Sequence, residues 1–320
     1  MVKIMKSLLQ TKEWAALRQS QGWKIHWLDE ILVLEKPLPL GFSFLYAPEV
    51  DFFKIDFRKF LPKIKEISAK SNSIFTRLDF LNQKQTIYTQ KIEKILFNNK
   101  FIKSFEEIQP EFRRIVRITG SEDEILARMK PKGRYNIRIA QKHEVVVEKV
   151  DSSTSLGVND FYEIFCETAE RDGFQIRPKS YFENLMKILK PAGLAEMLVA
   201  RYNGKPVAAG IFTFYGETAS YLYGASLSSD REVMAPYLLH WEAIKLAKEK
   251  NCSYYDLLAI APFDSLNPKP SNLKPHKYAG ITRFKEQFGG TSYQTFGSWD
   301  LITNKCLYIL FKMLEKIRRY

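Results

Sequence analysis

Cysteine and histidine are scarce in this 320-residue chain, with three of the first and four of the second. Cys166, Cys252 and Cys306 stand far apart, in no spacing that suits a zinc knuckle or a redox pair. An odd count in a long chain also argues against a disulfide framework. The histidines are scattered, and none has a triad partner by sequence; His240 falls inside a helical pattern and reads as packed. With 15 Gly and 14 Pro the chain is neither collagen-like nor of low complexity. No run approaches the roughly 18 uncharged apolar residues of a membrane span. The stretch Met1–Glu13, with Lys3, Lys6 and Lys12 around a short apolar Ser7–Leu9, is not a signal peptide. These absences predict a cytoplasmic, reduced, soluble protein.

What is abundant is apolar and basic. Hydrophobic residues make up 45% and aromatics 14%, enough surface to bury against the entropy of ordering. The length favours two packed units over one. Lys and Arg number 49 against 36 Asp and Glu, a net charge of +13. An excess of that size favours nucleic acid, phosphorylated substrates or an anionic membrane face.

The second half is the more legible. Glu196–Tyr202 is an apolar run ending at Asn203-Gly204, a hairpin signal because both residues tolerate positive φ. Pro206–Tyr215 returns as a strand, and Thr218–Gly224 makes a third. A helix opens at Ala235-Pro236, with Leu239, Ala243, Leu246 and Ala247 on one stripe, and Ser253–Ile260 follows as a strand. The first half repeats the order: Lys24–Leu28 and Ile31–Glu35 about Asp29-Glu30, then Phe42–Ala47, a helix at Asp56–Ala69 and a strand at Ser73–Asp79. Helices at Lys12–Gln21, and at Val158–Arg171 with Pro178–Leu189, would precede the two sheets. A mixed sheet with a crossover helix, appearing twice, predicts two related α/β domains.

Between the copies, Ser121 and Glu124 form a capping-box pattern over Ser121–Met129. Arg134, Arg138 and Lys142 then recur every four residues, on one helical face with no interspersed acid and with Tyr135 beside them. That pattern suits tRNA phosphates, its plain alternative being a solvated charged face. Past Ile260 runs a basic loop, Ala261–Ala279, with Pro262, Pro268, Pro270 and Pro275, long enough to be functional. The tail Thr303–Tyr320 is an amphipathic helix with Leu307, Leu310, Phe311 and Leu314 on one face. Its Lys312, Lys316, Arg318 and Arg319 suit an anionic leaflet, but packing of the tail on the first domain is the preferred reading.

The junction from Tyr223-Gly224-Ala225-Ser226 to Pro236 invites comparison with acetyl-coenzyme A enzymes, where a glycine-rich turn opens a helix and backbone amides grip a pyrophosphate. Here Arg231-Glu232-Val233-Met234-Ala235-Pro236 holds no glycine, and proline deletes one donor. The architecture fits that superfold while its usual cofactor does not.

Four stretches in order then carry a specific resemblance. They are Lys132-Gly133-Arg134-Tyr135-Asn136-Ile137-Arg138-Ile139-Ala140; Glu167-Thr168-Ala169-Glu170-Arg171-Asp172-Gly173-Phe174 leading to Arg177 and Tyr181; Tyr223-Gly224-Ala225-Ser226 with Ala235-Pro236-Tyr237-Leu238-Leu239-His240-Trp241; and Gly280-Ile281-Thr282-Arg283-Phe284-Lys285-Glu286-Gln287-Phe288-Gly289-Gly290. With them the chain resembles the Fem-type (FemABX) family of tRNA-dependent aminoacyltransferases that build peptidoglycan cross-bridges. Family members look like two tandem GNAT (acetyltransferase)-like domains with the C-terminal helix returning to the first. The boundaries expected here are 1–148 plus 301–320, and 149–300. Some members insert a long helical arm; no heptad stretch of that kind occurs here, so the chain looks like the armless branch.

The resemblance implies transfer of an amino acid from aminoacyl-tRNA to the stem-peptide amine of a muramyl-pentapeptide precursor, nucleotide- or lipid-linked. It implies no cofactor and no metal, since the ester is already activated and the protein has to orient reactants and stabilise an oxyanion. A lipid-linked acceptor would bring the protein to the inner membrane face. By the family pattern Lys285, with Phe284 beside it, contacts the tRNA end and supports the tetrahedral intermediate; the plain alternative is one more solvated lysine. Arg177 and Tyr181 match the pair holding phosphates and sugar of the precursor, and Tyr223 a tyrosine of that pocket, though a strand tyrosine also reads as core. Asp79 aligns with an aspartate considered as base for the acceptor amine. A carboxylate near pKa 4 is a poor base unless burial raises it, so orienting the amine, or pairing with Arg77, is preferred. Asp300 is a further candidate acid for the substrate. The rivals are an acyl-coenzyme A-dependent N-acyltransferase, a non-catalytic RNA-binding module, and ligation of amino acids to another amine such as a protein N-terminus.

Overall fold

The computed structural model describes residues 6–84, 86–150, 155–263 and 276–318. Of the basic loop Ala261–Ala279, residues 264–275 lie outside the described residues, with Pro268, Pro270 and Pro275 among them, as do Lys3 and Arg319.

The chain opens with α1 (Lys12–Gln19), whose first turn is capped by the Thr11 hydroxyl accepting from the Trp14 amide. Strands β1 (Lys24–Leu28) and β2 (Ile31–Pro37) form an antiparallel hairpin because Asp29 adopts a left-handed backbone, φ 55°. β3 (Ser43–Val50) adds antiparallel to β2, and α2 (Phe57–Lys70), capped by Asp56, crosses over to β4 (Ser73–Gln83), which is parallel to β3. Then come α3 (Thr86–Asn98) and β5 (Phe101–Lys103). β6 (Phe112–Arg117) precedes α4 (Glu122–Arg128), where the capping box of Ser121 and Glu124 is formed in full. α5 (Pro131–Lys142), β7 (Val146–Lys149), α6 (Ser155–Asp172) and α7 (Lys179–Leu189) follow. The meander β8 (Ala195–Tyr202), β9 (Lys205–Tyr215) and β10 (Thr218–Ser226) turns at Asn203-Gly204, both at positive φ. α8 (Ala235–Glu249) crosses over to β11 (Tyr254–Ala259), parallel to β10. The chain ends its described course with α9 (Ala279–Lys285), β12 (Thr291–Ile302) and α10 (Lys305–Arg318).

These elements group into two units, Met1–Glu111 with Gln294–Tyr320, and Phe112–Tyr293. In the first the strand order is β1-β2-β3-β4-β12, with β5 on β12. In the second it is β6-β11-β10-β9-β8-β7. Each contains hairpin, strand, crossover helix and parallel strand in the order the sequence repeats. Each also buries its own core: Val33, Leu45, Ile64, Leu78, Phe80 and Trp299 in one, Phe212, Leu239, Ile244, Tyr255, Leu257 and Phe288 in the other.

The division falls earlier than 148/149 and 300/301. β6 pairs with β11, and α5 packs against α8, so residues 112–148 join the second unit. Ser298, Trp299 and Asp300 pair with Asp79, Leu78 and Arg77 on β4, so they belong to the first. The tail also differs from its expected face. Tyr308 and Phe311 turn inward, toward Phe44, Phe75 and Phe105, whereas Leu310 and Leu314 are more than half exposed.

The centre of the first unit is an ion pair between directly opposed residues. Arg77 donates through Nε and Nη2 to the two carboxylate oxygens of Asp300, at 2.7 and 2.8 Å, and through Nη1 to Glu106 at 2.6 Å. The Tyr308 hydroxyl donates to Asp300 at 2.6 Å. Arg77 and Asp300 are both fully buried. Removing one partner strands the other charge away from water. Asp300→Ala is expected to lower unfolding free energy by about 3–5 kcal/mol, and Tyr308→Phe by about 1–2 kcal/mol, in urea titrations followed by far-ultraviolet circular dichroism.

Candidate active site

β10 and β11 stay paired only from Thr218, Ala219 and Ser220 to Tyr254, Tyr255 and Asp256. Beyond that β10 leaves its neighbour, as strand–helix junctions of acyl-transfer folds require, and α9 sends Lys285 into the gap. Lys285 is 3% exposed. Its ammonium donates to the Ala259 carbonyl at 2.6 Å and lies 5.9 Å from the Tyr221 ring centre. Thr282 ties α9 to the end of β11, accepting from the Ala261 amide at 2.8 Å and donating to the Tyr278 carbonyl at 2.7 Å. Burial pulls the Lys285 ammonium down to about 8, with the Asp256 carboxylate pulling the other way. Asp256 is itself paired with Arg113 at 3.1 Å.

The wall around Lys285 is aromatic. His240 on α8 lies 4.3 Å from the Tyr221 ring, 4.9 Å from Phe288 and 5.4 Å from Phe284, and its Nδ1 is 2.6 Å from the Tyr255 hydroxyl. Burial, with the Lys285 charge nearby, pushes its imidazole down to about 3, so it stays neutral. Tyr221 was not singled out by the sequence; in the structure it lies so close to Gly224 that a side-chain carbon there would overlap its hydroxyl and ring.

A β-bulge between Tyr221 and Tyr223 breaks the two-residue alternation of β10. Tyr221 therefore turns to α8, while Tyr223 turns to Phe165 of α6 and Phe182 of α7, at 6.1 and 5.2 Å. There the structure unites three sequence candidates. The Arg177 guanidinium lies 4.6 Å over the Tyr181 ring, and the Tyr181 and Tyr223 hydroxyls are 3.0 Å apart. Arg177 is exposed and Tyr181 buried. The Phe284–Lys285 cluster and the Arg177–Tyr181–Tyr223 cluster are thus separate, connected through adjacent residues of β10.

Phe284, whose ring packs 5.0 Å from Tyr237, also lines a surface cleft of about 480 Å³ with Lys130, Lys132, Gly280, Arg283, Glu286 and Gln287. Here the first and fourth sequence motifs meet. Gly133 approaches the Gln287 carbonyl so closely that a side-chain carbon would sit at 2.4 Å, and the Lys130 amide donates to the same carbonyl at 3.0 Å. Arg138 and Lys142 are exposed on α5. Arg134 is not aligned with them in role: its guanidinium donates to the Met129 carbonyl at 2.5 Å, closing the end of α4.

At the start of α8, Met234 takes the left-handed conformation (φ 55°) that glycine would adopt without strain. The Val233, Met234 and Tyr237 amides donate to the Asp230, Arg231 and Met234 carbonyls, and Pro236 has no amide hydrogen. Those three donors are used internally.

In the first unit Asp79 is buried and accepts from the Tyr46 hydroxyl at 2.5 Å. Burial lifts its carboxyl to about 6, against the neighbouring Ser298 hydroxyl, the hydrogen bond from Tyr46 and the Arg77 charge. Arg77 is paired with Asp300 and Glu106 rather than with Asp79. Asp300, expected to touch substrate, is fully buried with both oxygens committed, and is structural. Among the described residues no group of three or more His, Cys, Asp or Glu is placed to hold a metal ion.

The parting strand pair and the duplicated crossover define an α/β fold of two tandem acetyltransferase-like units. A solved tandem GNAT protein from the clavulanic acid biosynthesis pathway matches with a TM-score of 0.50 at 10% identity, covering 85% of this chain and 78% of its own. A family model then makes the assignment specific. The FemAB family model matches residues 59–205 and 192–316, so the chain belongs to the FemAB family. A lipid II:glycine glycyltransferase of Staphylococcus aureus is 23% identical over 394 residues, covering 96% of this chain and 91% of the relative. The crystal structure of FemX matches with a TM-score of 0.79 at 22% identity, covering 95% of this chain and 94% of that one.

Because the folded protein holds Lys285 near 8 and an unfolded lysine titrates near 10.5, only the unfolded chain binds this proton between those values. Stability at this site is therefore lost as pH falls from about 10.5 to about 8 and regained over the same range as pH rises. Lys285→Met, which keeps the volume, should be more stable than wild type at pH 7 by about 1–3 kcal/mol. The gap should close as pH rises through that window, measured as urea midpoints across the range.

Proposed function

We propose that this enzyme is an aminoacyltransferase that moves an amino acid from the 3′ end of an aminoacyl-tRNA to the stem-peptide amine of a lipid-linked muramyl-pentapeptide. The observation that carries the reading is Lys285, a lysine kept in the gap between β10 and β11 although its burial opposes its charge. An ammonium with one donor committed to Ala259 keeps two for an oxyanion.

The reaction asks little else. The acceptor amine attacks the ester carbonyl, the tetrahedral oxyanion forms beside Lys285, and collapse expels the ribose hydroxyl of the tRNA, which takes the proton the amine gives up. Desolvated charge is worth more than the same charge in water, so a buried lysine suits that task. The basic and aromatic cleft at Lys130, Lys132, Tyr237, Arg283 and Phe284, with Arg138 and Lys142 on α5, offers phosphate contacts and stacking faces for the RNA end. Arg177, backed by Tyr181 and Tyr223, offers a fork for the precursor's phosphates.

The S. aureus relative, named for lipid II, supports the lipid-linked form of the acceptor. Its pairing with this chain runs over 394 residues, more than the chain's 320, so it carries residues without counterpart here, which supports the armless reading. The lack of glycine, the missing amide hydrogen of Pro236 and the bonded Val233 and Met234 amides support the reading against a coenzyme A pyrophosphate at that turn.

Incubation with a mixed pool of charged tRNAs and lipid-linked muramyl-pentapeptide should add an amino-acid mass to the precursor. Lys285→Met is expected to lower kcat by roughly 10²–10³-fold while folding normally. Arg177→Ala should mainly raise KM for the precursor. No added mass on either lipid- or nucleotide-linked precursor, or stoichiometric coenzyme A binding in calorimetry, would overturn the assignment.

A further inference from the structure

The helix α10 has two apolar faces, and its own unit uses one. Phe311 packs 5.3 Å from Phe75 and 5.8 Å from Phe44, and Tyr308 is fixed to Asp300. On the other side Ile309, Leu310, Met313, Leu314 and Ile317 are 51–72% exposed. Their spacing puts all five on one stripe along the helix. Single apolar residues on a surface need no explanation, but a contiguous stripe of five does.

Charge says what covers it. Lys305, Lys312 and Lys316, seven and then four residues apart, run along one edge of the stripe, and all three are exposed. An apolar stripe edged by lysines is the pattern of a helix lying in a bilayer interface, where ammonium groups stay among anionic headgroups while their stems lie along the apolar surface. A second copy of the chain fits less well. Fourteen residues make a helix about 21 Å long, and a stripe about 10 Å wide covers roughly 200 Å², against about 800 Å² per partner in a stable dimer. The net charge of +13 also repels a second copy and attracts an anionic leaflet. Among the described residues no helix is long and apolar enough to cross a membrane, so the contact is one of lying on, not spanning.

We propose that the outward face of α10 seats this protein on an anionic phospholipid surface. The inference deepens the reading above, since a surface-bound enzyme meets a lipid-linked acceptor in two dimensions. The inward and outward readings of the tail are then not alternatives: one face is glued to the first unit by Tyr308 and Phe311, and the other is left for lipid.

The test is flotation of the full chain with vesicles of equal parts phosphatidylcholine and phosphatidylglycerol, free of any peptidoglycan precursor. Wild type should float with them and lose at least about tenfold in partitioning on pure phosphatidylcholine. Leu310→Asp combined with Leu314→Asp should lose at least about tenfold on the anionic vesicles, with unchanged urea midpoint and unchanged transfer to a nucleotide-linked precursor. If the aspartates lower the midpoint, Ile309→Ser with Leu314→Ser takes their place. Wild type that does not float, a folded variant that floats equally well, or a wild-type dimer in light scattering that the variant dissolves would each overturn the proposal. Flotation without transfer to either acceptor form would count against the transferase reading alone. Transfer without flotation would count against the lipid surface alone.

Discussion

A cation held where water is excluded governs the second unit. Lys285 sits in the gap left when β10 departs from β11, and the surrounding chemistry serves to keep it there: the Ala259 carbonyl accepts one hydrogen bond, Thr282 pins α9 to the strand end, and Asp256 supplies an opposite charge already shared with Arg113. Natural cores seldom retain a lysine at such a cost unless its charge is used. His240, one shell out, shows the same field from the other side, since the Lys285 charge and burial together keep its ring neutral. What the site offers is a fixed positive end against a wall of aromatic rings, not a chain of proton carriers.

Much of the fold was legible because local signals agreed with the tertiary ones. Asn203-Gly204 turned where positive φ was available, Ser121 and Glu124 capped α4 reciprocally, and the order of strands around α2 and α8 followed from alternation and helical spacing. Where the reading fell short, the deciding contacts lay far apart in sequence. The unit boundary depends on β6 pairing with β11, some 140 residues later, and nothing in residues 112–148 announces that partner. The tail helix was ambiguous for a different reason: it is apolar on more than one side, and spacing alone cannot say which side finds a neighbour.

The site divides in the same way. Lys285, Arg177 and Tyr181 came from the family resemblance, and the structure places the last two with Tyr223. Tyr221 did not stand out, because a bulge on β10 gave it a face that strict alternation would have shared with Tyr223. Asp300 drew attention as an acid in a suggestive motif, yet a carboxylate facing Arg77 across the ladder is spoken for before any ligand arrives. Arg134 is a related case: its helical spacing matched Arg138 and Lys142, but its guanidinium donates to the Met129 carbonyl at the end of α4.

The first unit is assembled from two segments separated by the whole of the second. Its inner strand β12 and the hydroxyl that completes the Arg77–Asp300 pair come from residues translated after the whole of the second unit. During synthesis β4 therefore emerges with an open edge and a buried-to-be arginine lacking its carboxylate, while residues 112–293 can already close on themselves. Vectorial folding then favours the later unit as the earlier one to mature, and the first unit stays open to chaperones and proteases until β12 and α10 have emerged to close it.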